Sequence, residues 1–300
     1  MNPFIEKIIP LILAFVAGIL AKQLKLLKKE DAPVFLKLVL SVTLPALTIL
    51  AVTRVTLSMD LILIPISAML IVFIIYFISS LIGKSLKLEG PTFGSFLVGT
   101  LIMNSAFALP FFAAAHGDEG LARASLFDIG NSFLIFTFIY YQAIKYGDNP
   151  HTDRINWGKF LKLPPLWGMV IALLFKAIRV PMPELATNFL SLVGNPTVPL
   201  VMISLGLYFE PRLNKLGAAF VAVFIRMGVG LAIGIALALL FNLQGVTRSV
   251  VVVCSALPIG FNTLIFANLE NMDREFAATE VSISILIALF LIPYLIWLLG

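Results

Sequence analysis

Asp128 is followed three and four residues later by Asn131 and Ser132, a spacing that places all three on one face of a helix. Carboxylate, amide and hydroxyl oxygens are the ligands a hard cation prefers, so the trio, with Asn104 or Ser105 added, is a candidate monovalent-cation site. A lone carboxylate could instead carry a proton, pair with Arg226, or be hydrated from one side. Glu280, four residues before Ser284, is a second candidate for ion coupling, or else an acid solvated near a helix N-terminus. Arg226 sits inside an apolar run. It either pairs with Asp128 or Glu280, the reading favoured here, or captures the carboxylate of a small organic anion. Two further stretches combine proline with hydrogen-bonding residues inside apolar segments: Asn104-Ser105 up to Pro110, and Pro258-Ile-Gly260-Phe-Asn262-Thr263. Asn104, Ser105, Pro258, Gly260, Asn262, Thr263 and Arg226 are the candidate substrate-binding residues.

These residues must be held by membrane-spanning helices. The 300-residue chain is 60% hydrophobic and only 12% charged, with a mean hydropathy of +1.04, whereas a soluble domain carries about a quarter charged residues. A span needs about 20 apolar residues. The apolar runs predict ten helices, at roughly 4–22, 34–54, 60–83, 91–115, 121–146, 163–180, 184–208, 214–242, 246–268 and 275–299. The expected fold is therefore all-α and polytopic, with a first group of five at 1–147, a polar connection at 148–162 and a second group at 163–300.

Basic residues in short loops accumulate on the cytoplasmic side. Thirteen lie in loops after odd-numbered spans and six on the opposite side, which puts both termini outside the cell membrane and the 148–162 connection, with His151, in the cytoplasm. Two groups of five then enter the membrane in opposite orientations. At an offset of 154, Pro10 meets Pro164, Lys22 meets Lys176, and Leu44-Pro45 meets Val198-Pro199; with one residue of drift Asp118 meets Asp273. Inverted repeats of this kind occur in many secondary transporters, whose sites are built from discontinuous helices near the midplane. Proline in mid-helix removes a hydrogen bond and opens the turn, so spans four and nine are expected to break and cross. Their N-terminal half-ends would offer N–H groups to an anion and their C-terminal half-ends carbonyls to a cation.

Several classes are excluded. A net charge of +5 and a pI near 9.3 reflect loop lysines and arginines, not a nucleic-acid surface; the Lys25–Lys29 run is a solvated, inside-positive loop, with contact to anionic membrane lipids as a minor addition. The single Cys254 and the separated His116 and His151 support neither a disulfide framework nor a metal cluster. No HExxH or GxSxG motif is present, so no enzyme is expected and no cofactor beyond a coupling Na+ or H+. Gly228-Val-Gly230 with Gly234 lies in an apolar helix and follows no strand, so close helix packing explains it.

Ala256-Leu-Pro258-Ile-Gly260 followed by Phe266-Ala267 resembles the ninth-helix motif of the auxin efflux carrier family. Phe35 to Leu47 is similar to its second helix, Lys162 to Trp167 and Val180 to Pro183 to the ends of its sixth, and Asn104 to Pro110 to its fourth-helix crossover. The resemblance covers nearly the whole chain. It implies ten helices and crossing helices four and nine. It also implies a scaffold of helices one, two, six and seven through which two copies would pair, with helices three to five and eight to ten as the mobile transport domain. The function implied is secondary transport of a small organic anion, sodium- or proton-coupled or else driven by the membrane potential alone, with a channel as a further alternative. The bile-acid sodium symporters, which share the broad fold, resemble the arrangement of ion ligands on helices four and five. The chain departs from the plant exporters in its short connection after the fifth helix, in Asn104 standing one residue closer to Pro110, and in Thr263 standing near where a later proline falls. Auxin itself is not implied.

Overall fold

A computed structural model describes residues 3–54, 60–88, 90–148, 164–178, 182–209 and 216–299. The expectations placed on His151, Arg154, Lys159, Lys162, Arg179, Val180, Arg212 and Lys215 lie outside these residues. Among the described residues the chain is helical throughout, with no named strand and one isolated antiparallel bridge, Met103 to Ile259. Among the described residues, six helices are long and apolar enough to cross a membrane, and three shorter apolar helices accompany them. The chain is a polytopic membrane protein.

It divides into two compact units: Met1–Ser58, Ala106–Ser125 and Leu161–Phe209 form the first, and Met59–Ser105, Leu126–Phe160 and Glu210–Gly300 the second. In the first unit, helix Pro3–Gln23 packs on helix Thr197–Tyr208 with Gly18 and Gly206 facing each other. A methyl group on Gly18 would overlap the Ile203 carbonyl, and one on Gly206 the Phe15 carbonyl, so the two backbones touch. Lys22 Nζ donates to the carbonyls of Leu207 and Phe209, where a cation offsets the negative helix end. The helix that follows is irregular by design of its sequence. Wide π turns run over Val39–Thr43 just ahead of Pro45, before helix Leu44–Arg54 resumes. The Thr197 hydroxyl lies 2.7 Å from the Gly194 carbonyl and 2.9 Å from Thr43 Oγ1. Thr43 and Thr197 are separated by 154 residues, the same offset that aligns the prolines beside them. Asn195-Pro196 is a two-residue interruption between helices Glu184–Gly194 and Thr197–Tyr208.

The second unit is built on helix Asp60–Ser85 and on two helices that stop in mid-course. Helix Gly90–Leu101 ends before the Ile102–Asn104 stretch, and a new helix begins at Ser105. Helix Gly245–Ser255 ends before Ala256–Phe261, and helix Asn262–Leu269 follows. The expected gap between the fourth and fifth spans is instead a one-residue reversal at Gly117, with φ 58° and ψ −142°, a backbone state that a side chain would strain. His116, expected in a loop, is in the last turn before that reversal. Helix Arg274–Leu299 is capped by Asp273, whose Oδ1 accepts the Phe276 N–H at 3.0 Å; the Thr92 hydroxyl donates to its Oδ2 at 2.8 Å.

Candidate functional site

The two interrupted helices meet at their breaks. The Asn104 N–H donates to the Pro258 carbonyl at 2.9 Å, and the Gly260 N–H to the Ile102 carbonyl at 3.0 Å. The two bonds flank the Met103–Ile259 bridge. Unpaired backbone groups are costly in hydrocarbon, and pairing one break with the other answers that cost. Pro258, lacking an N–H, contributes its carbonyl alone. Gly260 permits the approach, because a Cβ there would overlap the Ile102 side chain.

Neighbouring side chains satisfy what the bridge leaves over. The Asn131 amide nitrogen donates to the Met103 carbonyl at 2.9 Å and to Ser105 Oγ at 3.0 Å. Ser284 Oγ accepts the Ile259 N–H at 3.0 Å and donates to the Val281 carbonyl at 2.8 Å. Each break is therefore tied to one helix of its own half. Asp128 is half-buried beside this cluster, with Ser132 Oγ 3.4 Å from its Oδ1 and the side chains of Ser105 and Asn131 close to the same carboxylate. The structure thus brings the trio read from the helical spacing together with Ser105, the alternative to Asn104 in that reading, and adds the Met103 carbonyl. Asn131 is 1% exposed, and its amide oxygen has no hydrogen-bond partner among the described residues. An acceptor buried without a donor is the group a cation would satisfy.

Arg226 corrects an expectation. Among the described residues it makes no ion pair with Asp128 or Glu280. Fully buried within π turns over Phe224–Val229, it donates from one terminal nitrogen to the Thr100 carbonyl at 3.1 Å and from the other to the Ser255 carbonyl at 2.6 Å. Both carbonyls belong to the last turns of the interrupted helices. Interrupting a helix leaves four carbonyls without intrahelical partners, and these two compete successfully for the guanidinium. Room for it comes from Gly230, where a methyl group would overlap the Ser255 carbonyl and stand 2.6 Å from the guanidinium, and from Gly234, where one would overlap Ser255 Oγ. The glycine run serves helix packing, as its setting implied.

Glu280 is not solvated. It is 0% exposed and packs against Gly99, where a methyl group would overlap its carboxyl oxygens. Asn104 and Ser105 are buried at the crossing, Asn262 is half-buried at the start of its helix, and Thr263 Oγ1 is buried with no partner among the described residues. Every candidate residue lies in the second unit.

Paired interruptions of this kind, bonded to each other inside an all-helical membrane chain, define a class of protein that handles small solutes within the bilayer. The family model described as membrane transport protein matches residues 3–296, and the chain belongs to that family. It is similar to an uncharacterized transporter of Methanocaldococcus jannaschii, 27% identical over 311 residues covering all of this chain and 99% of that one. An uncharacterized transporter of Methanothermobacter thermautotrophicus is 28% identical over 96% of each chain. Auxin efflux carrier component 1 of Arabidopsis thaliana is 30% identical over 142 residues, 44% of this chain and 23% of its own length. The likeness to auxin efflux carriers read from the motifs is borne out, and the family and its relatives are transporters, not enzymes.

Proposed function

We propose that the chain is a secondary transporter that carries a small organic anion across the cell membrane, with a monovalent cation bound at Asp128. One observation carries the reading: the Asn131 amide joins the Asp128 cluster directly to the interrupted backbone at the Met103 carbonyl and to the Ser105 hydroxyl, while its own oxygen is buried without a donor among the described residues. A cation taken up by Asp128, Asn131, Ser132 and Ser105 would neutralise the carboxylate and fix the break. Arg226 already occupies the C-terminal ends of the first half-helices. The ends left to a substrate are then the N-terminal ones, at Ser105 and Asn262, and helix N-termini favour anions. Asn104, Gly260, Asn262 and Thr263 stand beside them to add polar contacts.

The wider architecture fits a ten-helix inverted repeat with both termini outside. The offset of 154 residues between the hydrogen-bonded Thr43 and Thr197 supports that repeat. The gathering of every site residue into one compact unit supports an elevator-like cycle in which that unit travels and the other serves as scaffold and dimer face.

Coupling between ion and substrate must be reciprocal. The test is a thermal-shift screen of lactate, pyruvate, succinate and malate in sodium and in potassium, followed by counterflow in proteoliposomes. At least one carboxylate should stabilise the protein more strongly in sodium, and Asp128→Asn should erase the difference while counterflow in high substrate persists. A ligand that shifts stability equally in both salts would favour an uncoupled, potential-driven carrier. Conductance without saturation would favour a channel.

A further inference from the structure

We infer that Glu280 is a proton-binding site, separate from the cation site at Asp128, and that its protonation is linked to the state of the crossing helices. The inference rests on the transporter reading and extends it.

Glu280 is fully buried, and neither carboxyl oxygen has a hydrogen-bond partner among the described residues. An ionised carboxylate in that position is among the costliest groups a protein can hold, whereas a neutral carboxylic acid is far cheaper. No neighbouring group supplies the missing charge. The helices packed against Arg274–Leu299 are Gly90–Leu101, Leu216–Val223, Gly245–Ser255 and Asn262–Leu269. The first and last of these contain no titratable residue. Gly245–Ser255 offers buried Cys254 and, near its opposite end, exposed Arg248. The continuation of Leu216–Val223 offers Arg226, which is committed to the Thr100 and Ser255 carbonyls. Past the end of Asn262–Leu269, Glu270 accepts the Tyr140 hydroxyl at 2.8 Å. On its own side, Glu280 has Asp273 two turns earlier, a second acid whose charge opposes another beside it, with exposed Arg274 and Glu275 at the helix mouth.

A metal ion does not suit the place. Among the described residues no group of three or more His, Cys, Asp or Glu side chains gathers to hold one. A proton needs one oxygen only. Gly99 makes the room for the acid, and Thr100, the next residue, carries one of the two carbonyls that Arg226 holds. Loss of the proton would leave a bare carboxylate against Gly99, one residue from that contact. In the same helix Ser284, one turn on, holds the Ile259 N–H. Release of the proton to water is therefore expected to accompany a conformation in which the crossing is rearranged and Glu280 is hydrated.

Infrared spectroscopy of the full chain in lipid, with glutamate side chains isotopically labelled, tests the protonation without any substrate. The carbonyl stretch of an un-ionised glutamic acid should be present at pH 7, disappear in Glu280→Gln, and shift in Glu280→Asp. Absence of that band in the unaltered protein, or its survival in Glu280→Gln, overturns the inference. Coupling is tested in proteoliposomes with the same four carboxylates. An inward pH gradient should speed uptake several-fold in the unaltered protein, and Glu280→Gln should keep counterflow while losing the acceleration. Counterflow indifferent to the gradient overturns the coupling and leaves the transporter reading intact; no counterflow of any carboxylate in the unaltered protein overturns that reading instead.

Discussion

Arg226 separates two roles that an arginine in a membrane helix can play. If it caps the interrupted helices, as its bonds to Thr100 and Ser255 imply, its value is structural. Hydrogen bonds to a charged donor contribute about 1.5–3 kcal/mol each. Arg226→Ala is therefore expected to cost about 3 kcal/mol or more and to lower the thermal unfolding midpoint in detergent sharply. Arg226→Lys, which can reach one carbonyl but lacks the fork, should cost about half as much. A midpoint unchanged in Arg226→Ala, with carboxylate binding abolished, would return the residue to substrate capture. The partners of Arg226 were not legible in the sequence, because carbonyls look alike at every position and only the charged candidates Asp128 and Glu280 stood out. Asp128, Asn131 and Ser132 were legible because their grouping is a property of one helix. The burial of Glu280 was not, because it depends on Gly99, nearly two hundred residues away in the chain.

Helix contacts follow the same division between what is local and what is not. Mid-apolar prolines announced the interruptions, and alternation of apolar and polar runs announced most helix limits. Of the π turns, that over Val39–Thr43 lies just ahead of Pro45 and that over Phe224–Val229 holds buried Arg226, whereas Ile135–Ile139 carried no signal of composition. A reversal between the fourth and fifth spans was legible, but not that Gly117 alone would make it, because glycine is also common inside membrane helices. The backbone contact between Pro3–Gln23 and Thr197–Tyr208 gives a prediction at this level. Gly18→Ala and Gly206→Ala each insert a methyl group into carbonyl oxygen of the other helix. Each should destabilise by about 1–3 kcal/mol. The double variant should cost less than the sum, since both relieve the same strain by parting the same pair. Gly217→Ala, with nothing within 4 Å of the added carbon, should leave the unfolding midpoint in place. Equal midpoints for all three would mean the helices do not touch as described.

For the chain as a whole, the excess of basic residues in alternate loops makes orientation testable. Cys254 is the only native thiol and is buried, so introduced cysteines report without interference. Ser85→Cys, exposed after helix Asp60–Ser85, should react with an impermeant maleimide only once the cytoplasmic side is opened; Glu119→Cys, exposed just after the Gly117 reversal, should react in intact cells. Labelling of both from one side would sink the inverted arrangement.

The joint between the interrupted helices is made by main-chain groups at Ile102, Asn104, Pro258 and Gly260. Its own two bonds consequently ask little of side chains beyond a small residue at position 260, against which Ile102 lies, while Asn131, Ser284 and Arg226 serve the groups beside it. The side chains of Asn262 and Thr263 take no part in those two bonds. A lineage built on this joint can alter its cargo by point mutation without first inventing a new way to break a helix in lipid, and one architecture can diversify into carriers of many different solutes.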